Sequence, residues 1–426
     1  MKFESALILL MLIITGILNA APLYGPSAIS LEKTWTIEAE NDGTHIELDG
    51  IFIINKSVQQ SVREITLSEG MSIYHEKDGI IKARYNGTMD GKKKTLKATA
   101  IVDIFYKNGV PQNADEMVGG NAIDWREFTE YTKEMTETAE SLADRSSLLN
   151  TVRNITEWVH DYITYDMSYF GKNVPARVVF RDRRGVCVEY SHLFISFAKS
   201  LGIKTRYVSG YVMSKEWQPH SWVEVRMPKY GWLPIDVTFN EAGILDNSHV
   251  MMFYSEDQED VVDRITSDKT IKFDSEEELK ILSSEASPEK LVDAQYLFDE
   301  SNYSITVTLR NKKDRIVFVT YEVAVPPEFG LSEERLLLFE PDEEKTFWYS
   351  LDKGKMKEGF VYNIPLRVTV NDYVVKDNLV IVIDGKNAKE DTSGDNAKKF
   401  EIPSFCGTAF VMFAVVFAVL MVKKNA

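Results

Sequence analysis

Residues 183–190 decide the fold, and they read Arg-Arg-Gly-Val-Cys-Val-Glu-Tyr. They lead into a helical pattern that ends at Gly202 and places these residues on one face: Tyr190, Leu193, Phe194, Phe197, Ala198 and Leu201. Cys187 therefore falls in the first helical turn, where unpaired N–H groups, the helix dipole and the neighbouring arginines stabilise a thiolate. Gly185 permits a close backbone approach or a positive φ. A lone cysteine at a helix start is also typical of a small buried hydrophobic residue.

A nucleophilic thiol needs a base, and the base needs an orienting group. His220 follows in Pro-His-Ser-Trp-Val-Glu-Val (219–225), and Asp236 follows in Gly-Trp-Leu-Pro-Ile-Asp-Val-Thr-Phe (231–239). If the two runs form a hairpin, His220 pairs with Thr238, and Asp236 is its diagonal neighbour on the same face. A slip of one residue would place them on opposite faces. The spacing thus predicts a Cys187, His220 and Asp236 triad.

Each of these residues also has a structural interpretation. His220 could be a histidine that serves the core, and Asp236 could cap a turn. The remaining histidines are not part of a similar motif in the sequence. We expect all of them to be surface or packing residues: His45, His75, His160, His192 and His249.

The rest of the chain divides by pattern. Residues 28–115 alternate apolar and polar positions between turn dipeptides, which predicts an antiparallel β domain. Residues 125–255 combine helices and strands in an α+β domain. Residues 256–287 are acidic and predict a solvated linker, since no spacing there matches a calcium-binding EF-hand loop. Residues 288–384 carry about seven short strands, as in an immunoglobulin-like sandwich.

The two ends of the chain predict export and anchoring. Residues 1–21 contain a short apolar run followed by small residues, as in a secretory signal peptide, with an uncleaved signal anchor as the alternative. Residues 385–402 form a polar linker. Residues 403–422 are long and apolar enough for one transmembrane helix. Lys423 and Lys424 place the C-terminus in the cytoplasm, so we expect a single-pass membrane protein with an extracytoplasmic body.

Composition excludes several classes of protein. The net charge of −16 argues against nucleic acid as a partner, because its binding requires a basic surface. With 2 cysteines, Cys187 and Cys406, the chain is neither a disulfide scaffold nor a cysteine-rich zinc module. Cys406 falls in the predicted membrane helix, which leaves Cys187 as the thiol of the exported body. No pattern indicates a metal ion or an organic cofactor.

The span from Trp158 to about Asp246 resembles the transglutaminase-like core, a papain-like α+β fold. Beside the motifs already quoted, the resemblance rests on Tyr-Ile-Thr-Tyr (162–165) and Leu-Gly-Ile-Lys-Thr-Arg-Tyr-Val-Ser-Gly-Tyr (201–211). It implies that Cys187 is the nucleophile, His220 the base and Asp236 the orienting acid. With the predicted ends, the whole is similar to membrane-anchored transglutaminase-like proteins of prokaryotic or archaeal surfaces. Calcium dependence is not carried over.

The resemblance implies acyl transfer at amide bonds of a protein or peptide at the cell surface, by hydrolysis or by transamidation. The backbone N–H of Cys187 is one expected oxyanion donor, and Tyr165 is the candidate for the second. Trp217 and Trp222 could wall the cleft or lie in the core, and Trp232 is expected in the core. The competing hypothesis is a catalytically silent binding or adhesion module on the cell surface.

Overall fold

The computed structural model describes residues 14–17, 24–105, 109–243, 245–286, 290–371 and 373–383. Of the predicted signal peptide, only Ile14–Ile17 is described, and it forms a short strand (β1). The predicted linker 385–402 and transmembrane helix 403–422 lie outside the described residues. No helix within the described ranges is long and apolar enough to cross a membrane.

An N-terminal sandwich consists of two antiparallel sheets. The first has the order β16-β2-β7-β4, with β2 (Tyr24–Ala39), β4 (Gln60–Leu67), β7 (Lys93–Ile104) and β16 (Ile271–Ala286). The second has the order β15-β3-β6-β5, with β3 (His45–Ile54), β5 (Met71–His75), β6 (Ile80–Thr88) and β15 (Arg264–Ser267). The inward faces of the sheets bury an apolar cluster that includes Trp35, Phe52 and Leu96.

The predicted acidic linker is wrong in this structure. Most of residues 256–287 belongs to the N-terminal sandwich, because β16 pairs with β2 along almost its whole length and β15 pairs with β3. The Asp263 carboxylate accepts hydrogen bonds from the Trp35 indole at 2.9 Å and the Ile51 backbone at 2.8 Å. In residues 271–280, exposed charged residues alternate with half-buried ones such as Ile271, Phe273 and Leu279, so one face of the strand is solvated while the other packs on the domain.

The central α+β unit carries a helical layer on an antiparallel sheet. The helices are α1 (Lys133–Leu142), α2 (Leu148–Tyr162), α3 (Ala176–Asp182) and α4 (Cys187–Ser200). The sheet has the order β13-β12-β11-β10-β14, with β10 (Thr205–Met213), β11 (Trp217–Met227), β12 (Gly231–Asp236), β13 (Glu241–Ala242) and β14 (His249–Ser255). A short parallel pair joins β8 (Thr164–Tyr165) to β9 (Arg184–Gly185).

Helix α4 is the buried centre of this unit. Its apolar face packs with α2 and with the Val223 and Val225 side of the sheet in one continuous core. Each fully buried Leu, Ile, Val or Phe side chain contributes about 1.5–3 kcal/mol relative to an exposed one, so this packing fixes where Cys187 lies. The helix ends as expected, with Gly202 at a φ of +77°.

The C-terminal sandwich also has two antiparallel sheets. One has the order β1-β17-β18-β21, with β17 (Val292–Asp299), β18 (Ser304–Asn311) and β21 (Glu344–Ser350). The other has the order β20-β19-β22-β23, with β19 (Val317–Ala324), β20 (Ser332–Phe339), β22 (Val361–Val370) and β23 (Tyr373–Val382). The expected arrangement of an α+β core flanked by antiparallel β domains is therefore present, and most of the described chain is β.

Both sandwiches contact the strands of the central unit. Gln60 of the N-terminal sandwich donates to the Met251 carbonyl at 2.9 Å and accepts from the Met251 N–H at 2.7 Å. On the other side, the Thr320 hydroxyl donates to the Asn240 carbonyl at 2.9 Å. The two flanking domains thus hold β14 and the loop after β12, the two segments that border the site described next.

Candidate functional site: a buried cysteine, histidine and aspartate

The backbone just before α4 has a well-defined conformation that places Cys187 in the first turn of the helix. Arg183 takes the left-handed conformation (φ 56°) after α3, and β9 then runs beside β8. Val186 occupies the N-cap position without a side-chain acceptor. Its backbone N–H donates instead to Glu189 Oε2 at 2.9 Å. The start of the helix is therefore held by Glu189, while the N–H of Cys187 is not capped by the Val186 side chain.

Gly185 is needed for a close approach and not for a positive φ. A Cβ at this position would lie 2.3 Å from the Cβ of Glu189, a distance that real Cβ atoms essentially never show. Gly185 is not among the residues with positive φ. Of the two reasons considered for this glycine, the first is the one found in the structure.

The hairpin of β11 and β12 has the expected register. Val223 pairs with Ile235 and Met227 with Gly231, so His220 and Asp236 fall on one face as diagonal neighbours. His220 Nε2 and Asp236 Oδ2 lie 2.6 Å apart. Asp236 Oδ1 accepts the backbone N–H groups of Thr238 at 2.9 Å and Phe239 at 3.1 Å, and the Phe239 ring stacks on the His220 ring. These contacts fix both side chains.

The three side chains are nearly sealed from water. The exposed fraction is 8% for Cys187, 7% for His220 and 0% for Asp236. The Cys187 thiol interacts with the His220 side chain, and because Nε2 of that ring is bonded to Asp236, Nδ1 is the ring nitrogen left for the thiol. The structure therefore brings together the three residues that the sequence analysis placed in a triad.

The charges of this group depend on one another. Burial would raise the pKa of the Cys187 thiol, but its hydrogen bond with His220, the His220 charge and two contacts with Ser221 bring that pKa below its ordinary value. Burial would lower the pKa of His220, but Asp236 and Cys187 raise it to about 9. Burial would raise the pKa of Asp236, but His220 and His249 hold it well below its usual range. The arrangement favours a thiolate and imidazolium pair over the neutral thiol and imidazole.

Tyr165 lies beside this group at its outer side. Its ring is 46% exposed and packs against Tyr190, whose own hydroxyl donates to the Ile163 carbonyl. Partial burial raises the pKa of the Tyr165 phenol, and the nearby charges of Cys187 and Asp236 raise it further. Its O–H thus stays protonated near the sulfur and can donate a hydrogen bond.

Three tryptophans that the sequence placed near the cleft or in the core differ in how deeply they are buried. Trp222 is fully buried beneath His220, with 6.0 Å between the ring centroids, and belongs to the core. Trp217 is half-buried and packs on the N-terminal sandwich. Trp232, which was expected in the core, is instead half-exposed, and the Arg206 guanidinium stacks 4.1 Å from its ring centroid. Arg206, on β10, also forms an ion pair at 2.5 Å with the buried Glu224 of β11.

His249 is the site residue that sequence reasoning missed. It was expected to be a surface or packing residue, but its Nε2 lies 3.1 Å from Asp236 Oδ2 and its Nδ1 lies 2.9 Å from Asp246 Oδ1. Burial would lower its pKa, but these two carboxylates raise it to about 10. The available signal was the spacing of three residues between Asp246 and His249, which is too common to be specific.

The described residues contain one set of side chains with the composition of a metal site, and it overlaps the triad. The ligand atoms of His220, Asp236 and His249 lie within 4.8 Å of one another. Two ligands of a tetrahedral zinc ion lie roughly 3.3 Å apart, given zinc–nitrogen distances near 2.0 Å. The observed 2.6 Å and 3.1 Å contacts are shorter and are those of charge-assisted hydrogen bonds.

The solved structures that align with this chain have low sequence and structural similarity to it. A candidate cysteine protease from Cytophaga hutchinsonii aligns at 17% identity and a TM-score of 0.48, over 63% of this chain and 96% of its own. Red sea bream transglutaminase aligns at 10% identity and a TM-score of 0.23, over 83% of this chain and 80% of its own. A further transglutaminase structure aligns at 16% identity and a TM-score of 0.21, over 45% and 51%. No curated protein matches the chain by sequence.

The family comparison concerns the segment that carries the site. The matched residues, 130–237, begin just before α1 and end just after Asp236, so they include Cys187, His220 and Asp236 but not His249. This part of the chain matches the model of the core of the transglutaminase-like superfamily.

Proposed function

We propose that this protein is a cysteine enzyme that transfers acyl groups from amide bonds through a thioester on Cys187. The observation that carries the proposal is the arrangement of Cys187 at the start of α4 with His220 and Asp236, in which burial is outweighed by charge pairing. A buried cysteine with a purely structural role would have a raised pKa, whereas that of Cys187 is lowered.

The first half-reaction follows from these positions. The Cys187 thiolate attacks the amide carbonyl carbon, and the new C–S bond pushes the carbonyl electrons onto oxygen. The Cys187 backbone N–H and the Tyr165 hydroxyl are the proposed donors to this oxyanion. The His220 imidazolium then gives its proton to the leaving nitrogen as the C–N bond breaks, which leaves a thioester and a neutral imidazole.

The second half-reaction regenerates the enzyme. Water or a primary amine attacks the thioester carbon, and neutral His220 accepts the proton of this nucleophile. The thiolate leaves, and the product is a carboxylic acid or a new amide. Asp236 keeps the His220 ring in place and stabilises its charged form throughout, as the third member of such triads does.

The acyl donor is proposed to be a protein or peptide, and hydrolysis and transamidation are both compatible with the site. A fluorescent primary amine supplied with a glutamine-containing protein separates the two. Incorporation of the amine supports transamidation, whereas release of new carboxyl groups without incorporation supports hydrolysis.

The proposed location is the outer face of a membrane, with the body exported and the chain held by residues 403–422. The support is the apolar character of both chain ends and the trailing Lys423 and Lys424. Cell fractionation and protease accessibility of intact cells test this. Recovery of the full-length chain from the soluble cytosolic fraction would contradict it.

The reactivity of Cys187 tests the enzyme hypothesis without knowledge of the substrate. Iodoacetamide is applied to the full-length chain across pH, and modification is followed by mass spectrometry of the Cys187 peptide, which separates it from Cys406. Rapid modification well below pH 8, lost in His220→Ala, is expected. If Cys187 titrates near about 8.5 whether or not His220 is present, the thiol is not activated, and the binding or adhesion module becomes the better hypothesis.

A further inference from the structure

The carboxylate of Asp236 is shared between two histidines. His220 Nε2 at 2.6 Å and His249 Nε2 at 3.1 Å approach the same oxygen, Oδ2, while Oδ1 is occupied by two backbone N–H groups. His249 in turn is bonded through Nδ1 to Asp246. The triad therefore continues as a chain of alternating acids and bases from the sulfur to Asp246.

His249 is placed as firmly as the triad itself. It is 2% exposed, and its ring meets the fully buried Trp222 edge to face at 5.2 Å. Two residues along β14, the Met251 backbone is bonded to Gln60 on both its N–H and its carbonyl. A histidine with only a packing role would not require two carboxylate partners, one of them the fully buried Asp236, since burying charge is costly unless it is paired.

The charged and titratable groups around His249 come from several elements. Asp236 approaches from β12, His220 from β11 and Asp246 from the loop before β14. Cys187 at the start of α4 and Tyr165 on β8 act on it through His220 and Asp236. Among these groups, His249 and His220 are the cations, and their ring centroids are 5.9 Å apart.

We propose that His249, held by Asp246, is a positioning residue that fixes Asp236 and competes with His220 for its negative charge. The inference rests on the proposed function, because it assigns His249 to the same reaction. Without His249, Asp236 would act on His220 alone, and His220 would keep its proton to higher pH. His249 thereby keeps His220 able to release a proton to the leaving group and to accept one in the second step.

The size of the effect follows from the distance between the two cations. Two like charges about 6 Å apart in a partly screened protein interior shift a titration by about one to two pH units. Burial would lower the pKa of His249, but the two carboxylates raise it to about 10, so this residue is mostly charged at the pH near 9 at which His220 titrates. Removal of its charge should therefore move the upper limb of the pH profile of Cys187 reactivity upward.

The experiment uses the full-length chain with His249→Gln, which keeps a donor toward Asp236 but carries no charge. Iodoacetamide modification of Cys187 is measured from pH 4 to 11 in buffer with and without EDTA. We expect the upper inflection to rise by about one to two pH units. Asp246→Asn, which leaves His249 in place but removes one of the carboxylates that keep it charged, should move the inflection in the same direction by less. His45→Gln, on the exposed surface of the N-terminal sandwich, should change nothing.

Three results would overturn the proposal. An upper inflection that stays within about 0.3 pH units of wild type in both folded variants, as verified by circular dichroism, would leave His249 with a structural role alone. A downward shift would show that His249 supports the charge of His220. If EDTA alone moves the wild-type profile and His249→Gln abolishes that response, the cluster binds a metal ion. A wild-type profile that is indifferent to His220 would instead refute the proposed function.

Discussion

His220 and Asp236 lie 2.6 Å apart between Nε2 and Oδ2, although sixteen residues separate them in the sequence. The distance is that of a charge-assisted hydrogen bond, and both side chains are buried. Burial opposes the charged form of each residue, and each stabilises the charge of the other. The pair therefore forms one unit, whose positive end faces the Cys187 sulfur.

Asp236→Asn should remove this mutual support. Burial would then act on His220 with less opposition, so its pKa should fall from about 9 toward or below 6.5, and imidazolium would be lost at neutral pH. We expect acyl transfer to fall by roughly 10⁴-fold, in line with the effect of the same substitution in other triads. The readouts are the histidine NMR titration and the rate of Cys187 modification at pH 6.

Asp103→Asn is the matched control for this variant, because Asp103 is a surface residue of the N-terminal sandwich that pairs with Arg63. It should leave the titration of His220 and the reactivity of Cys187 at wild-type values. If Asp236→Asn also leaves both unchanged, His220 does not depend on Asp236 for its charge.

Stability should depend on pH through His249. Its pKa is raised to about 10 in the folded protein against about 6.5 unfolded, so its contribution is fully present below pH 6.5 and is lost as the pH rises through 10. Wild type should therefore exceed His249→Gln in free energy of unfolding by a few kcal/mol more at pH 6 than at pH 10.5. Urea unfolding of both proteins at the two pH values measures this, and equal differences would mean that His249 is neutral in the folded state.

The sequence allowed the centre of the site to be predicted because its geometry is local. The first turn of α4 follows from the helical pattern after Cys187, and the shared face of His220 and Asp236 follows from an even spacing across a tight hairpin. Gly185 was recognised as special, although the choice between a close approach and a positive φ needed the position of Glu189.

The parts that were missed depend on pairing between distant segments. His249 lies on β14, which pairs with β10, and Asp236 lies on β12, on the other side of β11 and β10 in the sheet. The alternation of apolar and polar residues along single strands does not reveal this strand order. The segment 271–286 has the charge of a solvated linker, yet its half-buried residues pair with β2, which lies more than 230 residues earlier. Charge alone could not show that this strand has one buried face.

Gly185→Ala should damage both the start of α4 and the thiol. The added Cβ would meet the Glu189 Cβ at 2.3 Å, so Glu189 must move and its hydrogen bond from the Val186 N–H is lost. We expect a loss of about 1–3 kcal/mol in the free energy of unfolding, together with slower modification of Cys187. Thermal unfolding and the iodoacetamide rate measure the two effects.

Gly119→Ala is the matched control for Gly185→Ala, since a Cβ at Gly119 would meet nothing within 4 Å. It should be close to neutral in both measurements. A Gly185→Ala protein with wild-type stability and reactivity would show that the entry to α4 tolerates a displaced Glu189.

Gln60→Leu tests whether the N-terminal sandwich takes part in the chemistry. Gln60 satisfies both the N–H and the carbonyl of Met251 in the protein interior, and a leucine would leave these two groups unpaired at a cost of roughly 1–3 kcal/mol each. Because Met251 is two residues from His249, β14 should shift and weaken the contact of His249 with Asp236. We therefore expect a lower free energy of unfolding and an upper inflection of Cys187 reactivity that moves to higher pH, as in His249→Gln.

Gln112→Leu, at an exposed position, is the control and should change neither the stability nor the inflection. Destabilisation without any change in the pH profile would mean that the sandwich supports β14 but does not influence the site.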